Sequence, residues 1–194
     1  MDLLVFLGRT LGLSFAAGIN LYATVAILGL ASRYQWVALP PEYQVFDNDW
    51  VIALAVLLFI VEFFADKIPW VDTIWDGLHT IVRPVGGALI AVSALGEASP
   101  GLTAVMAVLG GTAALSSHAT KAGTRLVANA SPEPFSNSLL SLGEDAFVIS
   151  LGLLALKYPI AALVVSVVLV GVITAALYLL VRLLRQRFRP APTV

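Results

Sequence analysis

Glu62 and Asp66 stand four residues apart, and Asp72, Asp76, His79 and Arg83 follow at steps of four, three and four. At helical periodicity each set falls on one face. His118, Lys121 and Arg125, at steps of three and four, make a third, cationic face, and Glu144 and Asp145 form an acidic pair further on. Carboxylates, imidazoles and cations at such spacing can bind an ion or a small polar solute, relay a proton, or pair with one another. His79 and His118 supply groups that titrate near neutrality in water. In the pairing alternative, Arg83 joins Glu62 or Glu144, and Lys121 or Arg125 joins Asp145 or Asp66. Glu62, Asp66, His79 and Glu144 are also a chemically suitable donor set for a divalent metal, although no HExxH-like spacing supports it.

The surrounding sequence decides what kind of elements carry these groups. Of 194 residues, 59% are hydrophobic and 12% are charged, with a mean hydropathy of +0.94. Such a chain has lipid rather than water as its main solvent. The net charge of −1 gives no global basic field for a nucleic-acid partner, and the lack of cysteine excludes disulfides, thiolate catalysis and cysteine-bound metal. The start, Met1-Asp2 and then an apolar run, lacks a basic leader region, so it is expected to be a retained first span. No nucleophile elbow or phosphate loop is present, and no cofactor is expected.

Apolar segments predict an all-α, polytopic transmembrane bundle of about six spans, near residues 3–31, 50–67, 70–95, 101–126, 135–156 and 160–184, with a basic tail at 185–194. Turn-like stretches separate them: Leu39-Pro40-Pro41-Glu42, Ile68-Pro69, Ala98-Ser99-Pro100, Ser131-Pro132-Glu133-Pro134 and Tyr158-Pro159. With the N-terminus inside, eight Lys and Arg residues lie toward the cytoplasm and two, Arg33 and Lys157, outside, with Arg9 in the first span. Both termini are therefore expected in the cytoplasm. Segments 49–97 and 101–157 have the pattern of two repeated helical hairpins, with a three-plus-three inverted repeat as the alternative.

Two places invite a local departure from a straight helix. In the first span, Ala17-Gly18-Ile19-Asn20 puts a glycine and an amide at mid-membrane depth. With Gly8, Gly12 and Ala16 at small-residue spacing, close packing with one hydrogen bond from Asn20 is the favoured expectation over a broken helix. Arg83-Pro84 with Gly86-Gly87 is the better candidate for a kink. Gly110-Gly111 is expected to bring helices close together.

At Glu62-Phe63-Phe64-Ala65-Asp66-Lys67-Ile68-Pro69, then Val71-Asp72, Trp75-Asp76 and Val82-Arg83-Pro84, the chain resembles the bacterial membrane family called domain of unknown function 4126. Ala17 to Tyr22, His118 to Lys121 and Ser141 to Asp145 are similar to further features of that family. The resemblance implies a polytopic bacterial membrane protein and carries no activity. From the residues, the leading expectation is a small transporter or channel-like protein in the inner membrane, with membrane lipids around it and a homo-oligomer as a further expectation. Its polar cavity would be built from Glu62, Asp66, Asp72, Asp76, His79, Arg83, His118, Lys121, Arg125, Glu144 and Asp145, with Asn20 nearby. Glu62 and Asp66 would accept an ion or proton. A non-enzymatic scaffold for lipid or another membrane protein is the second reading, and an intramembrane metalloenzyme the third.

Overall fold

A computed structural model describes residues 3–130 and 134–187. The turn at 131–133, the start at Met1-Asp2 and the tail from 188, including Arg189, lie outside the described residues. The helices are α1 (Leu3–Ile19), α2 (Leu21–Arg33), α3 (Asp49–Ala65), α4 (Pro69–Ser93), α5 (Pro100–Asn129), α6 (Pro134–Lys157) and α7 (Pro159–Arg187), with a 3-10 turn at Pro41–Phe46. No strand occurs among the described residues. Local chemistry sets the helix starts. Proline opens α4, α5, α6 and α7, where its missing N–H costs no hydrogen bond. The Asn48 side chain caps α3 by accepting from the Trp50 and Val51 amides, and Ser99 caps α5 by accepting from Leu102.

An apolar core that includes Leu13, Phe15, Leu28, Ile90, Val148 and Leu156 is buried, but α4 is turned inside out relative to a helix of a water-soluble protein. Along α4 the buried residues include Asp72, Asp76, His79 and Arg83, while Trp70, Ile74, Leu78, Ile81, Val85 and Leu89 face outward. Water would reverse that arrangement, whereas hydrocarbon favours it, because an unpaired charge facing lipid is costly. α5, the stretch Asn137–Lys157 of α6 and the stretch Pro159–Leu183 of α7 are long and apolar enough to cross a membrane. α3 has only 17 residues, and the charges on the inner face of α4 lower its hydropathy.

The first apolar segment is not one long span. It breaks at Asn20, whose extended backbone (φ −145°, ψ 100°) ends α1, and whose side chain accepts a 2.9 Å bond from the Ala23 amide to cap α2. The arms of 17 and 13 residues are each shorter than the roughly 20 needed to cross a hydrocarbon core. Near the start of α1, Gly8 lies against the Pro159 carbonyl and Arg9 Nη2 donates to the Leu156 carbonyl at 3.4 Å, where α6 gives way to α7. The end of α1 descends to Ser117 and Ala114, halfway down α5. α2 then climbs back, and its last residue, Arg33, pairs with Asp47 at 2.8 Å and Asp49 at 2.7 Å beside the start of α3. Thus α1 and α2 form a re-entrant hairpin with its tip inside the bundle.

This corrects the sequence expectation in two respects. Residues 3–33 enter and leave at one end, so the chain makes five end-to-end passages, α3 to α7, plus a hairpin. The start of α1 and the end of α7 consequently lie at opposite ends of the bundle. The other expected spans match helices closely. α4 runs as one α-helix from Pro69 through Pro84 to Ser93.

Close packing holds the hairpin in place. A Cβ on Gly18 would collide with Ser117 Oγ and the Ala114 carbonyl, so only glycine allows this approach. Gly12 faces Ala155 and Ala162, and a Cβ on Gly110 would stand 2.5 Å from Ala91 Cβ and 2.6 Å from the Gly87 carbonyl. These contacts match the expected packing role of the small residues, but the broken helix that the sequence disfavoured is present as well, at Asn20. Two hydroxyls bridge helices: Ser14 donates to the Gly87 carbonyl at 2.9 Å, and Ser117 to the Phe15 carbonyl at 2.7 Å.

Candidate functional site

All the charged residues singled out from the sequence converge at one end, beneath the hairpin tip. α3 contributes Glu62 near its end and Asp66 as its cap, α4 the stretch from Asp72 to Arg83, α5 its second half, and α6 its first half. Between Asp72 and Arg83 the cluster extends about 17 Å along α4.

Glu62, wholly buried, accepts at Oε1 from Arg83 Nη2 at 2.7 Å and from Lys121 Nζ at 3.0 Å. Asp66 Oδ2 accepts from Lys121 Nζ and Arg125 Nη2, both at 3.0 Å. Arg125 also meets Glu144 Oε2, at 2.9 Å from Nη2 and 3.0 Å from Nε. Of the pairings expected from sequence, Arg83 with Glu62 and both Lys121 and Arg125 with Asp66 are present. Three carboxylates and three cations thus form a balanced set.

Asp72, Asp76 and Asp145 lie outside that balance. Asp76 Oδ1 is 3.1 Å from Arg83 Nη1, and Asp72 reaches Arg125 Nε only at 4.0 Å while accepting from Asn129 at 2.7 Å. Asp145 makes no ion pair among the described residues, and Asn20 Nδ2 donates to its Oδ1 at 3.3 Å. Both oxygens of Asp76, Oδ1 of Asp72, Oδ2 of Asp145 and Oγ of Ser141 are buried without a hydrogen-bond partner. Oε2 of Glu62 and Oδ1 of Asp66 are buried without a hydrogen-bond partner as well, while the other oxygen of each faces two cations.

The histidines have assigned work. His79 Nδ1 lies 2.7 Å from the Trp75 carbonyl, which can only accept, so Nδ1 carries the proton. In the neutral ring Nε2 then accepts from the Tyr22 hydroxyl at 2.8 Å, which joins α2 to α4. His118 Nδ1 lies 2.8 Å from Arg83 Nη1, a group that can only donate. His118 is therefore a neutral acceptor rather than part of a cationic face. Its Nε2–H donates to Thr80 Oγ1 at 3.1 Å. The metal set considered from sequence does not form: Glu62 is occupied by cations and His79 by Tyr22 and Trp75. Among the described residues no three His, Asp or Glu side chains gather as metal ligands.

Sequence reading missed several members. Asn137 accepts from Arg125 Nη1 at 2.6 Å and donates to the Asp66 carbonyl at 3.1 Å. Asn137, Ser141 and Asp145 follow at steps of four, and Asn129 continues the Lys121–Arg125 series by four. That periodicity was the available signal, obscured because neutral polar residues are common at helix ends. Two grooves reach the cluster. One of about 250 Å³ between α4 and α5 is lined by Thr73, Asp76, Gly77, Thr80 and Arg125. The other, about 510 Å³ and mostly apolar, runs from Ile19 at the hairpin tip along Leu139, Leu140 and Gly143 to Glu144.

The chain is an all-helical bundle with an apolar exterior, a charged interior and three helices long and apolar enough to cross a membrane. The chain belongs to the domain of unknown function family DUF4126, whose family model matches residues 7–179. No curated protein and no solved structure matches it.

Proposed function

We propose that this chain is a small multi-pass membrane transporter or channel-like protein, moving an ion or small polar solute through the polar interior at the Asp66–Asn137 end of the bundle. The observation that carries this reading is the hairpin tip, Gly18 to Tyr22, resting on a buried, carboxylate-rich cluster. Broken helices at membrane depth are tolerated where they are enclosed by protein or line a polar path, and their ends supply free backbone groups to a ligand. One groove lined by Asp76 and Arg125 and another reaching Glu144 adjoin the cluster.

In this reading α3 to α7 are five spans, and the hairpin is a sixth membrane segment that does not cross. The host membrane is a bacterial inner membrane. Lys67, Arg182, Arg185 and Arg187 at the cluster end outnumber Arg9, Arg33 and Lys157 at the other, which orients the cluster and the end of α7 toward the cytoplasm. The start of α1 then lies on the outer side.

Purified protein in liposomes loaded with probes for H⁺, Na⁺ and K⁺ tests the proposal. Transport requires flux above protein-free vesicles, abolished by Gly18→Leu, which forces the tip away from α5. No flux of any probe from folded wild-type protein overturns it.

A scaffold that binds lipid or another membrane protein is the second reading, favoured by the balanced set of Glu62, Asp66 and Glu144 with Arg83, Lys121 and Arg125. Charge reversal of both Glu62 and Arg83 separates the two. Restored stability with full biological activity supports the scaffold, and stable but inactive protein supports a transport site.

A further inference from the structure

Six carboxylates of the cluster, Glu62, Asp66, Asp72, Asp76, Glu144 and Asp145, face three fixed cations, Arg83, Lys121 and Arg125. Both histidines are engaged as neutral rings. A surplus of three negative charges in a membrane interior is costly, and such groups must recruit a cation or take up a proton. The surplus is not evenly placed. Asp145 differs from the other five carboxylates in having no cation within 4.0 Å among the described residues.

Its surroundings are specific. Asp145 is 7% exposed, Asn20 at the hairpin tip donates to Oδ1, and Oδ2 is buried with no partner. One helical turn earlier on the same face, Ser141 is wholly buried and its Oγ is likewise unpartnered. The Asn20 oxygen is already committed to the Ala23 amide. Besides Asp145 Oδ2 and Ser141 Oγ, the free buried oxygens nearby are Oε2 of Glu62 and Oδ1 of Asp66. A proton neutralises a buried carboxylate on one oxygen with no further ligand.

We infer that Asp145 is a proton-binding site, protonated on Oδ2 while the hairpin tip is docked, and that the proton is the ion, or one of the ions, on which this protein acts. The inference deepens the transport reading and rests on it for the second half only. The charged groups facing Asp145 are Glu62 and Asp66 of α3 with Lys67 just beyond it, and Lys121 of α5, and the neutral amide of Asn20 meets it from between α1 and α2. Lys121 already lies 3.0 Å from Glu62 and from Asp66, and Lys67 is folded over the Phe63 ring, 3.2 Å from its centroid, with its Nζ donating to the Phe63 carbonyl at 2.8 Å. Loss of the Asp145 proton leaves a bare carboxylate against the tip, which draws in water or a cation and strengthens the hydrogen bond from Asn20. Binding and release are simple protonation of one carboxylate oxygen, with no other bond made or broken.

Two measurements test this separately from transport as such. Infrared spectra of wild-type protein and Asp145→Asn in lipid at neutral pH should differ by the carbonyl band of a protonated carboxylic acid, present in wild type and missing in the variant. In liposomes carrying an internal pH dye, Asp145→Asn should lose at least tenfold of the proton flux while its melting temperature equals or exceeds that of wild type. No protonated-acid band assignable to Asp145, or wild-type proton flux in Asp145→Asn, overturns the inference. A wild-type protein that moves Na⁺ or K⁺ and never protons overturns it and leaves the transport proposal standing. The band without flux of any ion retains the proton site and removes transport.

Discussion

Glu62 and Arg83, on different helices and 21 residues apart, meet at 2.7 Å with neither side chain exposed to any degree. The pair ties α3 to α4, which otherwise touch sparingly, since α4 packs chiefly along α5. Lys121 adds α5 at 3.0 Å from the same Glu62 oxygen, so one carboxylate oxygen holds three helices together.

Truncating one member of a buried pair leaves the other charge uncompensated, a loss of about 3–5 kcal/mol. Arg83→Met is expected to destabilise by that order, and Glu62→Met with Arg83→Met together to recover part of it. Unfolding titrations of the single and double variants in mixed micelles give the coupling directly. Strict additivity of the two single losses would refute the pairing.

The hairpin geometry predicts a labelling pattern. The protein has no cysteine, so single introduced cysteines report cleanly. Leu3→Cys and Gln35→Cys should react with a membrane-impermeant thiol reagent from one side, and Gln186→Cys from the other. Reaction of Leu3→Cys and Gln186→Cys from the same side would restore a fully crossing first segment.

Asn20 performs two tasks, capping α2 at the Ala23 amide and donating to Asp145. Asn20→Asp keeps the cap and loses the donor, whereas Asn20→Ala loses both. Loss of the cap costs about 1 kcal/mol, so the alanine variant should melt below the aspartate variant. Hydrogen exchange at the start of α2 should accelerate only in the alanine variant.

At the opposite end, Tyr43 in the 3-10 turn is 1% exposed, and burial pushes its hydroxyl from the ordinary 10.0 up to about 12. A raised folded-state value means that the neutral form is favoured on folding. The corresponding stability is complete below pH 10.0 and is lost as pH rises toward about 12. Melting temperature measured from pH 9 to 12 should fall more steeply in wild type than in Tyr43→Phe, and equal slopes would contradict this.

The sequence by itself determined the helical class, the apolar exterior and the grouping of charges at one end. Those follow from composition and from periodicities of three and four, which act locally and survive without knowledge of neighbours. α3 to α7 match the expected segments because an apolar run of sufficient length leaves a backbone few alternatives in hydrocarbon. The path of residues 3–33 was decided only in three dimensions. A 29-residue apolar stretch has the same composition whether it crosses or turns back, and a lone Asn20 is equally at home inside a helix or capping one. What selects the turn is Gly18 seated against Ser117 and Ala114, with Arg33 held by Asp47 and Asp49, contacts between residues far apart in the chain or across a loop. Partner choice was tertiary for the same reason. Periodicity gave each helix its charged face, but the tilt and depth at which α6 meets α5 settled that Arg125 takes Glu144 and leaves the adjacent Asp145 to the hairpin tip.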